Sequence, residues 1–298
     1  MKENSIKLIG FLAFSLLTSP KVLSQDAVPN QADRNKQLSV LKPMNSIFVN
    51  SRINLSDSTS ILPENFEGIK PNKIIDKSES LKSFFKAARL SSIGIKSTGV
   101  KVLQIGDSHI KGGFFSDELR RQMGEVLPYI DYEEFGINGA TAYSFNKMMN
   151  IEKIRTVNPD LLILSFGTNE SHSKRYNTQM HHKEIDDLVK AIRSVLPQVP
   201  IILTTPPGSF DRKARKVYTP NPRTSKAADL IKSYANENHL AYWDLYNITG
   251  GVHHANNNWK DANLMRPDHV HYLPQGYEIQ AELFFEALIK AYNDYNIL

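Results

Sequence analysis

The chain has 298 residues, 41% hydrophobic and 22% charged, a balance that suits one sizeable α/β domain with additional segments and excludes an intrinsically disordered protein. Its formal net charge of +5 is a weak bias; with no Lys/Arg stripe interleaved with aromatic residues it makes no case for nucleic acid, and it suits either work near an anionic envelope polymer or plain solubility. The absence of cysteine excludes disulfides, thiolate metal sites, a cysteine nucleophile and a lipid-modified N-terminal cysteine.

Lys2 and Lys7 precede an apolar run from Leu8 to Leu17, followed by Pro20 and Val22-Leu23-Ser24. This order of basic, apolar and small segments predicts a secretory signal peptide over residues 1–24, with a run too short to span a bilayer comfortably. The mature protein is therefore expected to be exported, periplasmic or extracellular, and to hold no stable membrane insertion after cleavage. Residues 25–77 are polar and broken by Pro29, Pro43, Pro63 and Pro71, and read as a leader or loosely packed arm, with a short strand expected near residues 46–50. Leu81, Phe84, Phe85 and Ala88 fall at helical spacing and predict an amphipathic helix over residues 78–90, capped by Ser78 or Ser80.

From there a domain over residues 78–298 alternates strand and helix. Strands are expected at 100–105, 132–137, 161–166, 201–205 and 240–245. Helices are expected at 114–123, 146–157, 179–196, 225–238 and 274–292. Alternation with continuous apolar strands predicts a parallel sheet covered on both faces, whose working residues collect at the carboxyl ends of the strands.

Those ends carry polar, glycine-containing turns. Gly106-Asp107-Ser108-His109 follows the first strand, and a serine on such a tight turn exposes its hydroxyl while its backbone N–H points toward a bound oxyanion. Gly136-Ile137-Asn138-Gly139 follows the second, where glycine lets backbone approach a ligand. Gly167-Thr168-Asn169-Glu170 follows the third, and the Asn169 amide is a suitable fixed donor. Near the C-terminus stands Asp268-His269-Val270-His271. An aspartate three residues before a histidine can hold the ring by Nδ1–H and leave Nε2 to take a serine proton. Each turn alone is a common loop sequence; their order is not. Tyr143 and Trp259 could stack on a sugar ring or serve packing, and Pro206-Pro207-Gly208 lies at the same rim. His181-His182 and His253-His254 lack the carboxylate spacing of a metal site. His109 is expected to be structural, and His269 to face away from His271.

The ordered blocks Gly-Asp-Ser108, Gly139, Gly-Thr-Asn169 and Asp268-x-x-His271 resemble the four blocks of the SGNH/GDSL hydrolase superfamily. The resemblance implies a flavodoxin-like three-layer α/β/α sandwich with a central parallel sheet. It implies Ser108 as nucleophile, His271 as general base and Asp268 as its orienting acid. The backbone N–H groups of Ser108 and Gly139 with the Asn169 side chain would form the oxyanion hole, with no metal or cofactor. Leu103-Gln-Ile-Gly-Asp-Ser-His109, Phe166-Gly-Thr-Asn-Glu170 and Trp259-Lys-Asp-Ala-Asn-Leu264 are further similar to bacterial peptidoglycan O-acetylesterases. That narrower resemblance implies an acetylated glycan as partner, the acetyl group standing on N-acetylmuramic acid. Deacetylation of another polysaccharide such as xylan, O-acetyl transfer to a sugar hydroxyl, and non-catalytic glycan binding stay open beside it, as does oligomeric state.

Overall fold

The computed structural model describes residue 53 and residues 61–295. The expected signal peptide and the strand near residues 46–50 lie outside them. In chain order the elements are β1 (Ile74–Ile75), α1 (Lys82–Ser92), β2 (Val100–Gly106), α2 (Ser108–Lys111), α3 (Phe114–Val126), β3 (Ile130–Gly136), α4 (Ala142–Phe145), α5 (Met148–Val157), β4 (Leu161–Ser165), α6 (Thr168–His172), α7 (Thr178–Val195), β5 (Ile201–Thr204), β6 (Phe210–Ala214), β7 (Val217–Pro220), α8 (Pro222–Glu237), β8 (Ala241–Trp243), α9 (Leu245–Ile248), α10 (Gly251–Asp261) and α11 (Pro274–Asp294).

The main sheet runs β1-β8-β5-β4-β2-β3. All its pairings are parallel except β1 with β8. Numbered among themselves, the parallel strands follow the 2-1-3-4-5 order of a flavodoxin-like sheet, which the alternation of elements predicted. Side chains alternate across the strands and fill two cores. Val102, Leu161, Ile163, Ile202 and Trp243 face a cluster built with Phe84, Leu119 and Phe284 from α1, α3 and α11. Leu103, Ile105, Leu162, Leu164, Ile201 and Leu203 face one built with Phe145, Ile154, Leu188 and Ile231 from α4, α5, α7 and α8. Burial of both faces explains why these strands read as unbroken apolar runs rather than alternating ones.

Gln104 interrupts that pattern. It is buried on β2, accepts from Tyr132 Oη at 2.5 Å and donates to Ser165 Oγ at 2.8 Å, and Ser165 in turn accepts from Thr204 Oγ1 at 3.1 Å. This polar thread crosses four adjacent strands just below the carboxyl rim, each buried group meeting a partner.

Most predicted elements are present with ends moved by one to three residues. The helix at 78–90 starts later, at Lys82, because Asp76 rather than Ser78 or Ser80 closes the turn before it. The Asp76 carboxylate accepts from the backbone N–H of Ser80 and Leu81 at 2.8 and 2.9 Å. The last strand stops at Trp243, because Asp244 caps a short helix beginning at Leu245. Residues 61–77, read as the end of a polar arm, supply edge strand β1 and the core residues Leu62, Phe66 and Ile74. The β6–β7 hairpin and α10 have no counterpart among the expected elements.

Candidate active site

Three consecutive parallel strands deliver the site. Register aligns Gly106 of β2 with Gly136 of β3 and Ser165 of β4, so the turns that follow them share one rim. Ser108 is the first residue of α2, whose N-cap is Asp107; the Asp107 carboxylate accepts from His109 N at 2.9 Å. The turn is tight enough that a Cβ on Gly136 would run into the backbone of Lys111 and Asp107. Glycine is therefore required there for α2 to seat against β3.

His271 and Asp268 arrive on the loop between α10 and α11. A bridge between Met265 and Tyr272 and the bond from Arg266 N to His271 O at 2.8 Å hold this loop closed. Ser108 Oγ lies 2.9 Å from His271 Nε2, and His271 Nδ1 lies 2.9 Å from Asp268 Oδ2. The other Asp268 oxygen accepts from the backbone N–H of Val270 and His271, each at 2.9 Å. Burial pushes the Asp268 carboxyl up. Those two N–H bonds and the His271 ring outweigh it and hold the group below its ordinary value. Asp268 is thus an ionised acceptor at neutral pH, and it selects the His271 tautomer with hydrogen on Nδ1, leaving the Nε2 lone pair toward Ser108. Such an arrangement can generate a nucleophilic alkoxide.

The backbone N–H groups of Ser108 and Gly139 donate to no other described residue. Asn169 Nδ2 donates to Ala140 O at 2.9 Å and to Asp107 Oδ2 at 3.3 Å, which ties the third strand's turn to the other two. Glu170 completes the tie. Its buried carboxylate accepts from Ala142 N at 2.8 Å and Gly167 N at 2.9 Å, joining the turns after β3 and β4. Burial raises Glu170 to about 7 and Asp107, fully enclosed, to about 8. The role of Glu170 was not drawn from the sequence, although a glutamate at the third helical position after Gly167 carries a capping signal.

His109 follows the serine and is buried. Its Nδ1 meets Tyr277 Oη at 2.9 Å, and its ring centroid lies 5.3 Å from that of His271. Burial lowers it to about 3, so it stays neutral beside His271. His269 takes a positive φ of 56° and turns its ring onto Tyr218 and Phe210, with centroids 4.3 and 5.6 Å away. Of the two aromatics considered for sugar stacking, Tyr143 is 71% exposed on α4. Trp259 is 0% exposed, wedged between Phe66 and Tyr272, and presents no face to a ligand; this corrects the expectation for it. It instead supports Tyr272 of the loop that carries Asp268 and His271, whose hydroxyl donates to Gly208 O at 2.5 Å. His181 and His182 diverge, the first buried against Tyr176 and the second packed on Tyr234.

No curated protein matches the sequence. Among solved structures, the fold is similar to a structure described as a peptidoglycan O-acetylesterase in action, at a TM-score of 0.67 and 17% identity, over 74% of this chain and 99% of that one. It is also similar to LAE5, an α/β hydrolase enzyme from the metagenome of Lake Arreo, Spain, at a TM-score of 0.50 and 17% identity, over 66% and 98% of the two chains. The model of the GDSL-like Lipase/Acylhydrolase family matches residues 99–279, a span that begins just before β2 and closes inside α11, enclosing the turns of Ser108, Gly139 and Asn169 and the loop of Asp268 and His271. The chain therefore belongs to the GDSL-like lipase/acylhydrolase family and is a carboxylic ester hydrolase.

Proposed function

We propose that the protein is an exported esterase that removes O-acetyl groups from a cell-envelope glycan, the acetylated N-acetylmuramic acid of peptidoglycan being the substrate. The observation that carries this reading is the unbroken chain from Ser108 Oγ to His271 to Asp268, with both links at 2.9 Å. Ser108 attacks the acetyl carbonyl as His271 Nε2 accepts its proton, and Asp268 stabilises the imidazolium. The tetrahedral oxyanion is met by the N–H groups of Ser108 and Gly139 and by Asn169 Nδ2, which exchanges its longer bond to Asp107 for the oxyanion. His271 returns the proton to the departing sugar hydroxyl and leaves an acetyl-serine. Water, deprotonated by the same histidine, then releases acetate.

The glycan assignment draws support from the sequence blocks around Ser108, Asn169 and His271 and from the likeness to the peptidoglycan O-acetylesterase structure. Tyr143, on the rim beside Gly139, is the surface aromatic assigned to sugar contact. The basic and apolar segments at the N-terminus support export. The experiment is acetate release from O-acetylated peptidoglycan and from acetylated xylan, by wild type and Ser108→Ala. Release from peptidoglycan that disappears in the variant is expected. Release from xylan alone would reject the glycan assignment, and labelling by a fluorophosphonate probe at a residue other than Ser108 would reject the nucleophile.

A further inference from the structure

Exposed cations on the helices of this protein are mostly matched by carboxylates of the same helix. Arg121 pairs with Glu118 and Glu125, Lys183 with Asp187, Lys190 with Asp186 and Lys290 with Glu286. The β6–β7 hairpin departs from that rule. Arg212, Arg215 and Lys216 are exposed and have no carboxylate within ion-pair distance among the described residues. The hairpin's one acid, Asp211, is held by Arg223 at 2.5 Å and Lys213 at 3.5 Å.

This hairpin is fixed to the catalytic loop. Phe210 N donates to His269 O at 3.0 Å, and the His269 ring, two residues before His271, lies against Tyr218 and Phe210. Arg212 stands directly opposite Tyr218 in the register. Side chains alternate along a strand, so Arg212 shares the face of Phe210 and Tyr218, the face turned to the catalytic loop, and Asp211 with its two cations lies on the other. The hairpin base is also tied to the end of α6: His172 Nε2 meets Ser209 Oγ at 3.0 Å, and Arg223 Nε donates to Ser171 O at 2.6 Å. Lys174 and Arg175, exposed and unpaired among the described residues, follow directly. Over residues 171–175, 209–220 and 264–273 the only carboxylates are Asp211 and Asp268, and both are engaged.

The geometry points to an anion-recognition rim built on this hairpin, with Arg212 as its residue nearest the reacting ester, which selects glycans carrying carboxylates along the chain that bears the acetyl group. The proposal rests on the esterase reading above and adds the substrate's charge to it. A guanidinium fork matches a carboxylate with two parallel hydrogen bonds, and a cluster of unpaired cations beside a cleft raises the local concentration of an anionic polymer. A strand rises about 3.3 Å per residue, so the hairpin tip stands on the order of 15 Å from its base, a span of roughly two to three sugar units. Nucleic acid fits less well, because the aromatics beside these cations are engaged: Phe210 is buried and the half-buried Tyr218 ring lies against His269.

The test compares wild type with the triple variant Arg212→Gln/Arg215→Gln/Lys216→Gln on O-acetylated peptidoglycan fragments, acetylated polygalacturonate, a neutral acetylated xylo-oligosaccharide and 4-nitrophenyl acetate. For wild type, kcat/KM on the two acidic glycans is expected to fall as salt rises to about 0.5 M, where charges are screened within a few ångströms, and to fall much less on the neutral substrates. In the variant, KM on the acidic glycans should rise roughly three- to tenfold relative to any change on the neutral ones, the range for a few solvent-exposed ion pairs. Equal losses on acidic and neutral substrates, or salt dependence that survives the substitutions, would overturn the proposal. So would binding to anionic phospholipid vesicles that is lost in the variant while acidic-glycan KM is unmoved. Should wild type cleave no acetylated glycan, the glycan-deacetylase reading fails by itself, whatever its turnover of 4-nitrophenyl acetate. Co-sedimentation of Ser108→Ala, with and without the hairpin substitutions, on de-O-acetylated peptidoglycan then decides the rim separately.

Discussion

Replacing Asp268 with asparagine keeps the side-chain shape and removes the charge, and the structure sets the size of the effect. Asp268 performs two jobs with two oxygens: Oδ2 accepts from His271 Nδ1, and Oδ1 accepts from two backbone N–H groups. The carboxamide can satisfy only one job with its single oxygen. With the oxygen kept on the backbone N–H groups, its NH2 faces His271 Nδ1. The ring must then carry its hydrogen on Nε2, where it cannot accept the Ser108 proton; in triads of this kind that tautomer lowers kcat about 10⁴-fold, or about 5.5 kcal/mol. Turning the amide over restores the correct tautomer but points an NH2 at two N–H donors. Unmade bonds of this sort cost about 1–3 kcal/mol each, and half-exposure of the Asp268 side chain places the total near the lower end, about 2 kcal/mol. The turned form then survives at roughly one part in thirty. Asp268→Asn is therefore expected to lose between about 30-fold and 10⁴-fold in kcat on 4-nitrophenyl acetate while its urea unfolding midpoint stays close to wild type. Asp268→Ala, which removes the acceptor for both backbone N–H groups, should also lower stability, by about 1–2 kcal/mol. An asparagine variant within threefold of wild-type kcat, or one whose loss is accounted for by unfolding, would refute this account of the loop.

Gly136→Ala should be destabilised by about 1–3 kcal/mol and lose most activity, because the added methyl displaces the backbone of α2 that carries Ser108; urea unfolding and 4-nitrophenyl acetate turnover check both. Trp259→Phe should lower stability by about 1–3 kcal/mol without a change in glycan KM beyond that seen with 4-nitrophenyl acetate, since its ring is core rather than sugar platform. Two buried groups make stability depend on pH in opposite directions. Burial depresses His109 from 6.5 to about 3, so its contribution is present above the unfolded value and is lost as pH falls from 6.5 toward 3; His109→Gln should flatten the acid side of a plot of unfolding free energy against pH. Burial raises Asp107 from 3.8 to about 8, so its contribution is present below the unfolded value and is lost as pH rises toward 8; Asp107→Asn should flatten the alkaline side.

What could be read from the sequence was what repeats along the chain or sits in a short local pattern. Strands β2, β4 and β5 were legible because burial on both faces turns them into apolar runs, and helix α7 because Ile185, Leu188, Val189 and Ile192 recur at helical spacing on one buried face. The turns holding Ser108, Gly139 and Asn169, and the spacing of Asp268 to His271, were local as well, and the structure brings these residues to one rim. The features that escaped depend on pairings distant in sequence. Strand β1 has two residues and exists because Ile74 and Ile75 find Trp243 and Tyr242 more than 160 positions away, so no periodicity announces it. Trp259 could be read as a ligand platform or as core until Phe66, from a segment read as a loose arm, was found against its ring.

The hairpin shows the same limit acting on charge. Arg212-Lys213-Ala214-Arg215-Lys216 is plain in the sequence, and by itself such a run is a solvated surface. Its meaning changes only when two long-range facts are added: Asp211 is consumed by Arg223 on the far face, and Tyr218 and Phe210 lie against His269. The first removes the acid that would neutralise the run; the second sets the remaining charge beside the loop that carries Asp268 and His271. The hairpin cations are solvent-exposed and screened, so their effect on an oxyanion developing at a neutral ester is small beside that of directly hydrogen-bonding N–H groups. Charge placed there acts chiefly on whatever else the substrate carries, and therefore bears more on which substrate is held than on how fast its ester breaks.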